Sequence, residues 1–161
     1  MKKYSLSVGL LVSLLVGMTL GAFAETCEPR IGSTPPLFEL NNLDGKTIKL
    51  RDYLGEKPLI ITFIASWSKP CQAILADLQA LYPHANVLAI SLDKKSKDLK
   101  SYLENNKLSF PVLVDKKLSL LDKYQILIIP STFCVNSKGI IEKIFIDHDE
   151  NTGKELGAWL N

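Results

Sequence analysis

Residues 59–65 read Leu-Ile-Ile-Thr-Phe-Ile-Ala, apolar at every position but Thr62. A run without alternation suits a strand covered on both faces, as in a parallel sheet. Val87 to Leu92 has the same character and predicts a second buried strand. Between the two, helix signals begin at Ser68, and Ile74, Leu75, Leu78, Leu81 and Tyr82 recur at helical spacing. Leu99, Tyr102 and Leu103 form one face of an otherwise polar helix. Pro111 to Val114 predicts a short strand, and Leu118, Leu121 and Tyr124 a short helix. Ser131 to Asn136 and Ile140 to Ile146 predict two strands joined at the turn Asn136-Ser137-Lys138-Gly139. Thr152 to Leu160 closes the chain as a helix carrying Leu156, Trp159 and Leu160. Upstream, Leu37–Leu40 and Thr47–Leu50 flank Asp44-Gly45, a hairpin signal. This order implies an α/β fold: a mixed sheet with helices on both faces, an antiparallel edge and an N-terminal β-hairpin extension.

The first residues follow a different pattern. Lys2 and Lys3 precede an apolar run from Leu6 to Val16, and Ala22-Phe23-Ala24 forms a small-x-small site. That layout predicts a secretory signal peptide over residues 1–24, a short N-terminal extension over 25–34 and a single domain over 35–161. The alternative of a retained membrane anchor fits the length of the stretch from Tyr4 to Ala24, but its Ser and Gly content and its cleavage site argue against it. Lipidation at Cys27 is disfavoured by the acidic Glu25 and by Thr26 just before it. The expected location is periplasmic or secreted, where disulfides persist, with no membrane span after cleavage.

Charge then removes a class of partners. Of 19 Lys and Arg, two lie in the segment expected to be removed, which leaves as many bases as the 17 acids. A neutral domain has no electrostatic case for nucleic acid. Three cysteines are too few for a disulfide scaffold, and with two scattered histidines they show no metal-ligand spacing. No metal and no cofactor is expected. Asp147-His148-Asp149-Glu150 reads as a solvated loop.

Four segments carry a resemblance. Phe63 through Trp67-Ser68-Lys69-Pro70-Cys71 looks like F-W-A-x-W-C-x-P-C. Phe110-Pro111-Val112-Leu113-Val114-Asp115 looks like F-P-V-x-x-D, and Tyr124 through Ile129-Pro130-Ser131-Thr132-Phe133 like Y-x-V-x-x-x-P-T-x-F. Asn136 to Gly139 looks like a late D-x-x-G turn. In this order they resemble the thioredoxin superfamily, and within it the secreted thiol-disulfide oxidoreductases of the TlpA/ResA type. The resemblance covers nearly all of residues 35–161. It implies a thioredoxin-like sheet, catalytic positions at 68 and 71, and a cis Ile129-Pro130 bond facing them. It also implies a peptide groove shaped by Trp67, Pro70, Ile129 and Pro130.

The same resemblance shows a departure. The first cysteine of C-x-x-C, the nucleophile, falls at Ser68, while Cys71 keeps the second position. A serine at a helix start is a good N-cap. As a nucleophile it needs an adjacent base, and neither His84 nor His148 lies in a motif that brings one. Cys71 shares a helical stripe with Ile74, Leu75 and Leu78 and is expected to face the core, where a thiol is unreactive. The strand acid of thioredoxins falls at Thr62, and the Glu often found after the second cysteine falls at Ile74. Cys134 is expected to pack in the core. Pairing of Cys27 with Cys71 or Cys134 stays open.

Three functions follow. The first is a thiol-disulfide oxidoreductase with an altered Ser-x-x-Cys site and weak or absent dithiol exchange. The second is a redox-silent module holding a protein or peptide at the Trp67/Pro130 groove. The third is a peroxiredoxin-like thiol peroxidase using Cys71. That chemistry needs an arginine at the thiol, and Arg30 and Arg51 lie outside the matched motif.

Overall fold

The computed structural model describes residues 28–161. The segment expected to be a signal peptide, its expected cleavage site and Cys27 lie outside the described residues. Strands β1 (Glu39–Asn41) and β2 (Thr47–Lys49) pair antiparallel, and Gly45 takes the left-handed φ of +83° that their tight turn requires. A 3-10 turn over Leu50–Tyr53 follows. Then come β3 (Leu59–Ile64), α1 (Lys69–Leu81), β4 (Asn86–Ser91), α2 (Ser96–Asn106), β5 (Val112–Val114), α3 (Ser119–Lys123), β6 (Ser131–Val135), β7 (Ile141–Ile146) and α4 (Thr152–Leu160). The strands and the helices α1, α3 and α4 lie within a residue or two of where the hydrophobic pattern puts them, α2 contains Leu99, Tyr102 and Leu103, and the 3-10 turn is not predicted by that pattern.

The main sheet has the order β5-β4-β3-β6-β7. β3, β4 and β5 run parallel, and β6 and β7 complete the sheet antiparallel. β3 is central and buried at all six positions, which is why its sequence lacks alternation. Its side chains divide between two cores. Ile61 and Phe63 meet Tyr124, Phe133 and Phe38 on the face covered by α3 and the N-terminal segment. Ile60 and Ile64 meet Ile74, Leu78, Leu99 and Leu156 on the face covered by α1, α2 and α4. Burying each such side chain stabilises the fold by about 1.5–3 kcal/mol.

The described part of the expected N-terminal extension is tied to the domain. The Gly32 N–H donates to the Ile141 carbonyl, and the Ile141 N–H to Ser33, at the start of the β7 edge.

The loop 147–151 is more than a solvated stretch. The Asp149 carboxylate accepts from the Thr152 N–H and hydroxyl and caps α4, and His148 Nε2 lies 2.8 Å from Asp77 Oδ2 on α1. Those two contacts clamp the start of α4 onto α1. Gly153 completes the clamp, because a Cβ there would sit 2.6 Å from Asp77 Oδ2.

Candidate functional site

The C-terminal ends of β3, β4 and β5, the start of β6 and the end of β7 all lie at one end of the sheet. β3 runs out there into Ala65-Ser66-Trp67-Ser68, and α1 begins at Lys69. The Ser68 N–H donates to the Ala65 carbonyl, and the Ser68 carbonyl accepts from Gln72, the first turn of the helix. Trp67 is exposed and Ser68 half-buried, whereas Cys71 is completely buried.

Ser68 is at the N-cap position, but its side chain makes no capping bond. The expectation of a side-chain cap is therefore corrected. Pro70, the second helical residue, has no N–H to offer, and the Ser68 hydroxyl is among the groups that lower the Cys71 thiol. Burial pushes the Cys71 thiol up. Hydrogen bonds from the Ser68 hydroxyl and from the Ala65 backbone oppose that, and the nearby Asp93 and Asp147 carboxylates add to the rise. The thiol is thus both hidden and protonated, which disfavours nucleophilic attack. Labelling of Cys71 by iodoacetamide at pH 8 is expected to run at least about tenfold slower in the folded protein than in denaturant, and to rise only above the usual thiol range. Mass spectrometry of timed aliquots measures it, and equal rates in both states would contradict the burial.

Pro130 opens β6 after a cis Ile129-Pro130 bond, as the resemblance implies. Phe63 pairs with Ser131, so residues 127–130 lie at the same end of the sheet as Trp67 and Ser68. Ile129 is half-buried and Pro130 buried, while Leu127 and Ile128 before them are exposed. Pro70 is exposed beside Lys69. Cys134 is buried among Ile60, Leu78 and Leu156, and burial pushes its thiol up to about 12. Cys71 and Cys134 are both free thiols.

Two polar clusters escaped the sequence reading. Thr62 lies on the α1 face of β3, between Ile60 and Ile64, and its hydroxyl is 2.8 Å from that of Thr132 on β6. The position implied for an acid is therefore an uncharged, mutually satisfied pair. The second cluster centres on Asp93, buried just past β4. Its Oδ2 accepts from the Ser66 N–H at 2.9 Å and the Ser91 hydroxyl at 2.7 Å, and its Oδ1 from the Ser66 hydroxyl at 2.9 Å. Gln72 Nε2 donates to the Ser66 carbonyl at 2.8 Å. Every polar group of Ser66 is thus held, and the loop presenting Trp67 and Ser68 is fixed to β4 and α1. The signal was the polar pair Ser91 and Asp93 closing an apolar run. Asp115, in the Phe-Pro-Val segment, is a helix cap, accepting from the N–H groups of Ser119 and Leu120 on α3.

Arg51 sits in the 3-10 turn and lines a cleft with Leu37 and Lys123; neither it nor Arg30 is among the groups acting on Cys71. Among the described residues no group of His, Cys, Asp and Glu is arranged to hold a metal ion.

Comparisons with known proteins show the family. The model of the AhpC/TSA family matches residues 31–144. A thiol-disulfide oxidoreductase ResA of Bacillus cereus is 30% identical over 99% of this chain and 97% of its own. The crystal structure of StoA from Bacillus subtilis superposes with a TM-score of 0.65 at 28% identity, over 79% of this chain and 98% of the other. An exposed lipoprotein thioredoxin of Streptococcus pneumoniae gives a TM-score of 0.65 at 27% identity, over 78% and 98%.

Proposed function

Because the chain belongs to the AhpC/TSA family and to the ResA-like thiol-disulfide oxidoreductases within the thioredoxin fold, we propose that it is a polypeptide-binding member of that group, with dithiol exchange weak or lost. The observation that carries the reading is the pair at the start of α1: a hydroxyl at Ser68 and a wholly buried thiol at Cys71. Exchange needs a thiolate that reaches a substrate sulfur and a second thiol that resolves the mixed disulfide. Ser68 supplies no thiol, and Cys71 is covered. The Thr62–Thr132 pair and Ile74 offer no carboxylate to move protons during exchange.

What remains is the binding geometry. Trp67 stands out from a loop anchored through Ser66, and the exposed Leu127 and Ile128 lead into cis Pro130 at the same end of the sheet. An exposed aromatic and two exposed aliphatics suit an extended apolar peptide. The peroxidase reading has less support, because no arginine acts on the thiol. The protein acts outside the cytoplasm on this reading. The basic start, apolar run and Ala22-Phe23-Ala24 site support that location, as does likeness to an exposed lipoprotein thioredoxin.

The test is a disulfide-reduction assay with dithiothreitol as reductant. Wild type and Cys71→Ala are expected to give the same rate as buffer, within about twofold. Wild-type turnover well above buffer, abolished by Cys71→Ala, would refute the proposal.

A further inference from the structure

The five strand ends that form the site carry a graded charge. Beyond β5 stand Lys116 and Lys117, beyond β4 stand Lys94, Lys95 and Lys97, and beyond β3 stands Lys69, all six exposed. None of them is in an ion pair among the described residues. The acids nearby leave this charge largely unbalanced. Asp93 and Asp115 are buried and consumed by hydrogen bonds, and Glu39 is paired with Lys49. Asp98, exposed next to Lys97 in the first turn of α2, offsets one of these six charges, and Asp122 lies on α3. A cleft of about 690 Å3 opens beside Lys116 and Lys117, against the β1–β2 hairpin. At the opposite side, beyond β7, the exposed groups are Asp147, Asp149 and Glu150.

Between these poles lies apolar surface. Six large hydrophobic residues are exposed among the described residues, and four of them are here: Trp67 (74%), Leu127 (94%), Ile128 (51%) and Ile146 (57%). Along the strand order the end of the sheet therefore reads basic, apolar, acidic. A chain with a net charge of only +2 whose charges are separated this way across its exposed apolar patch has a surface matched to one kind of partner.

We propose that this face docks a polypeptide whose apolar segment lies over Trp67, Leu127 and Ile128, with an acidic stretch on its β5 side over the lysines. The inference rests on the groove reading above and adds the partner's chemistry to it. A lysine-rich apolar face also suits an anionic bilayer, but a bilayer presents one sign of charge everywhere. Asp147, Asp149 and Glu150 at the same end would be pressed against it.

The test uses synthetic peptides with a Leu-Val-Thr-Val-Leu centre, four glutamates at one end and two lysines at the other, made in both chain directions. In the two comparison peptides the glutamates become glutamines or lysines. Binding is read by Trp67 fluorescence in a Trp159→Phe background and by calorimetry on the unaltered protein. The expected order is glutamate, then glutamine, then lysine. The glutamate peptide should bind about tenfold tighter than the glutamine one at low salt, with the gap closing at about 0.5 M salt. Combining Lys94→Glu, Lys95→Glu, Lys116→Glu and Lys117→Glu should reverse the order. The salt series on the unaltered protein decides the matter if that variant does not fold. Equal binding of the glutamate and glutamine peptides at low salt overturns the acidic partner and leaves the groove standing. Binding of none overturns the groove as well. Retention on phosphatidylglycerol vesicles at 0.15 M salt, undiminished by the glutamate peptide, assigns the face to a membrane and overturns the proposal.

Discussion

Ser68→Cys is expected to turn a silent protein into a disulfide reductase. The substitution places a thiol at the half-buried start of α1, three residues before Cys71. Free N–H groups and the positive end of the helix dipole there favour a thiolate. The new thiolate attacks a substrate disulfide, forms a mixed disulfide and releases one substrate thiolate. Cys71 then gives up its proton and attacks the sulfur at 68. The second substrate thiolate leaves, and a 68–71 bond closes one helical turn. An external dithiol reduces that bond and restores the start. Burial of Cys71 and the carboxylates of Asp93 and Asp147 resist its ionisation, so this second step is expected to limit the rate. Thr62 and Ile74 offer no proton acceptor to ease it. Turnover is therefore expected at least about tenfold above wild type but below that of an enzyme with an acid in place. Insulin reduction measures the gain, and mass after alkylation reports the 68–71 bond. A thiol at 68 that alkylates readily yet never pairs with Cys71 would show that the two positions do not face each other.

That experiment relies on a placement that could be read in the chain. The stripe Cys71, Ile74, Leu75, Leu78 repeats at helical spacing, and all four are buried on α1. Short-range periodicity records which way a side chain points because every residue of the stripe meets the same sheet. The apolar run at 59–65 announced a central strand for the same reason. What stayed hidden are bonds between residues far apart in sequence. Asp93 meets Ser66 across 27 residues, Thr62 meets Thr132 across 70, and His148 meets Asp77 across 71. No local pattern encodes such a pair, since each partner taken alone reads as an ordinary polar residue. Ser68 shows a subtler limit. Its place at the helix start was legible, but its hydroxyl makes no cap there. Pro70 removes one of the N–H donors the cap would have used.

Asp93→Ala is expected to be the most damaging single change at the site. The carboxylate is buried, and its loss leaves the Ser66 N–H and the hydroxyls of Ser66 and Ser91 without an acceptor. Stranding buried donors costs about 1–3 kcal/mol each, partly offset because no charge then needs to be desolvated. A net loss of about 2–4 kcal/mol is expected in urea denaturation. Asp93→Asn keeps one acceptor oxygen and should lose about half as much. The Asn variant carries the sharper diagnosis. Removing the negative charge near Cys71 lowers the cost of its thiolate, since that charge is one of the causes raising the thiol. The folded Asn variant should therefore label at Cys71 faster than wild type, while its Ser66 amide loses hydrogen-exchange protection. A simple packing role for Asp93 predicts instability without the faster labelling. An Asn variant whose Ser66 amide stays as protected as in wild type would mean that Gln72 and the strand ends hold the Trp67 loop without it.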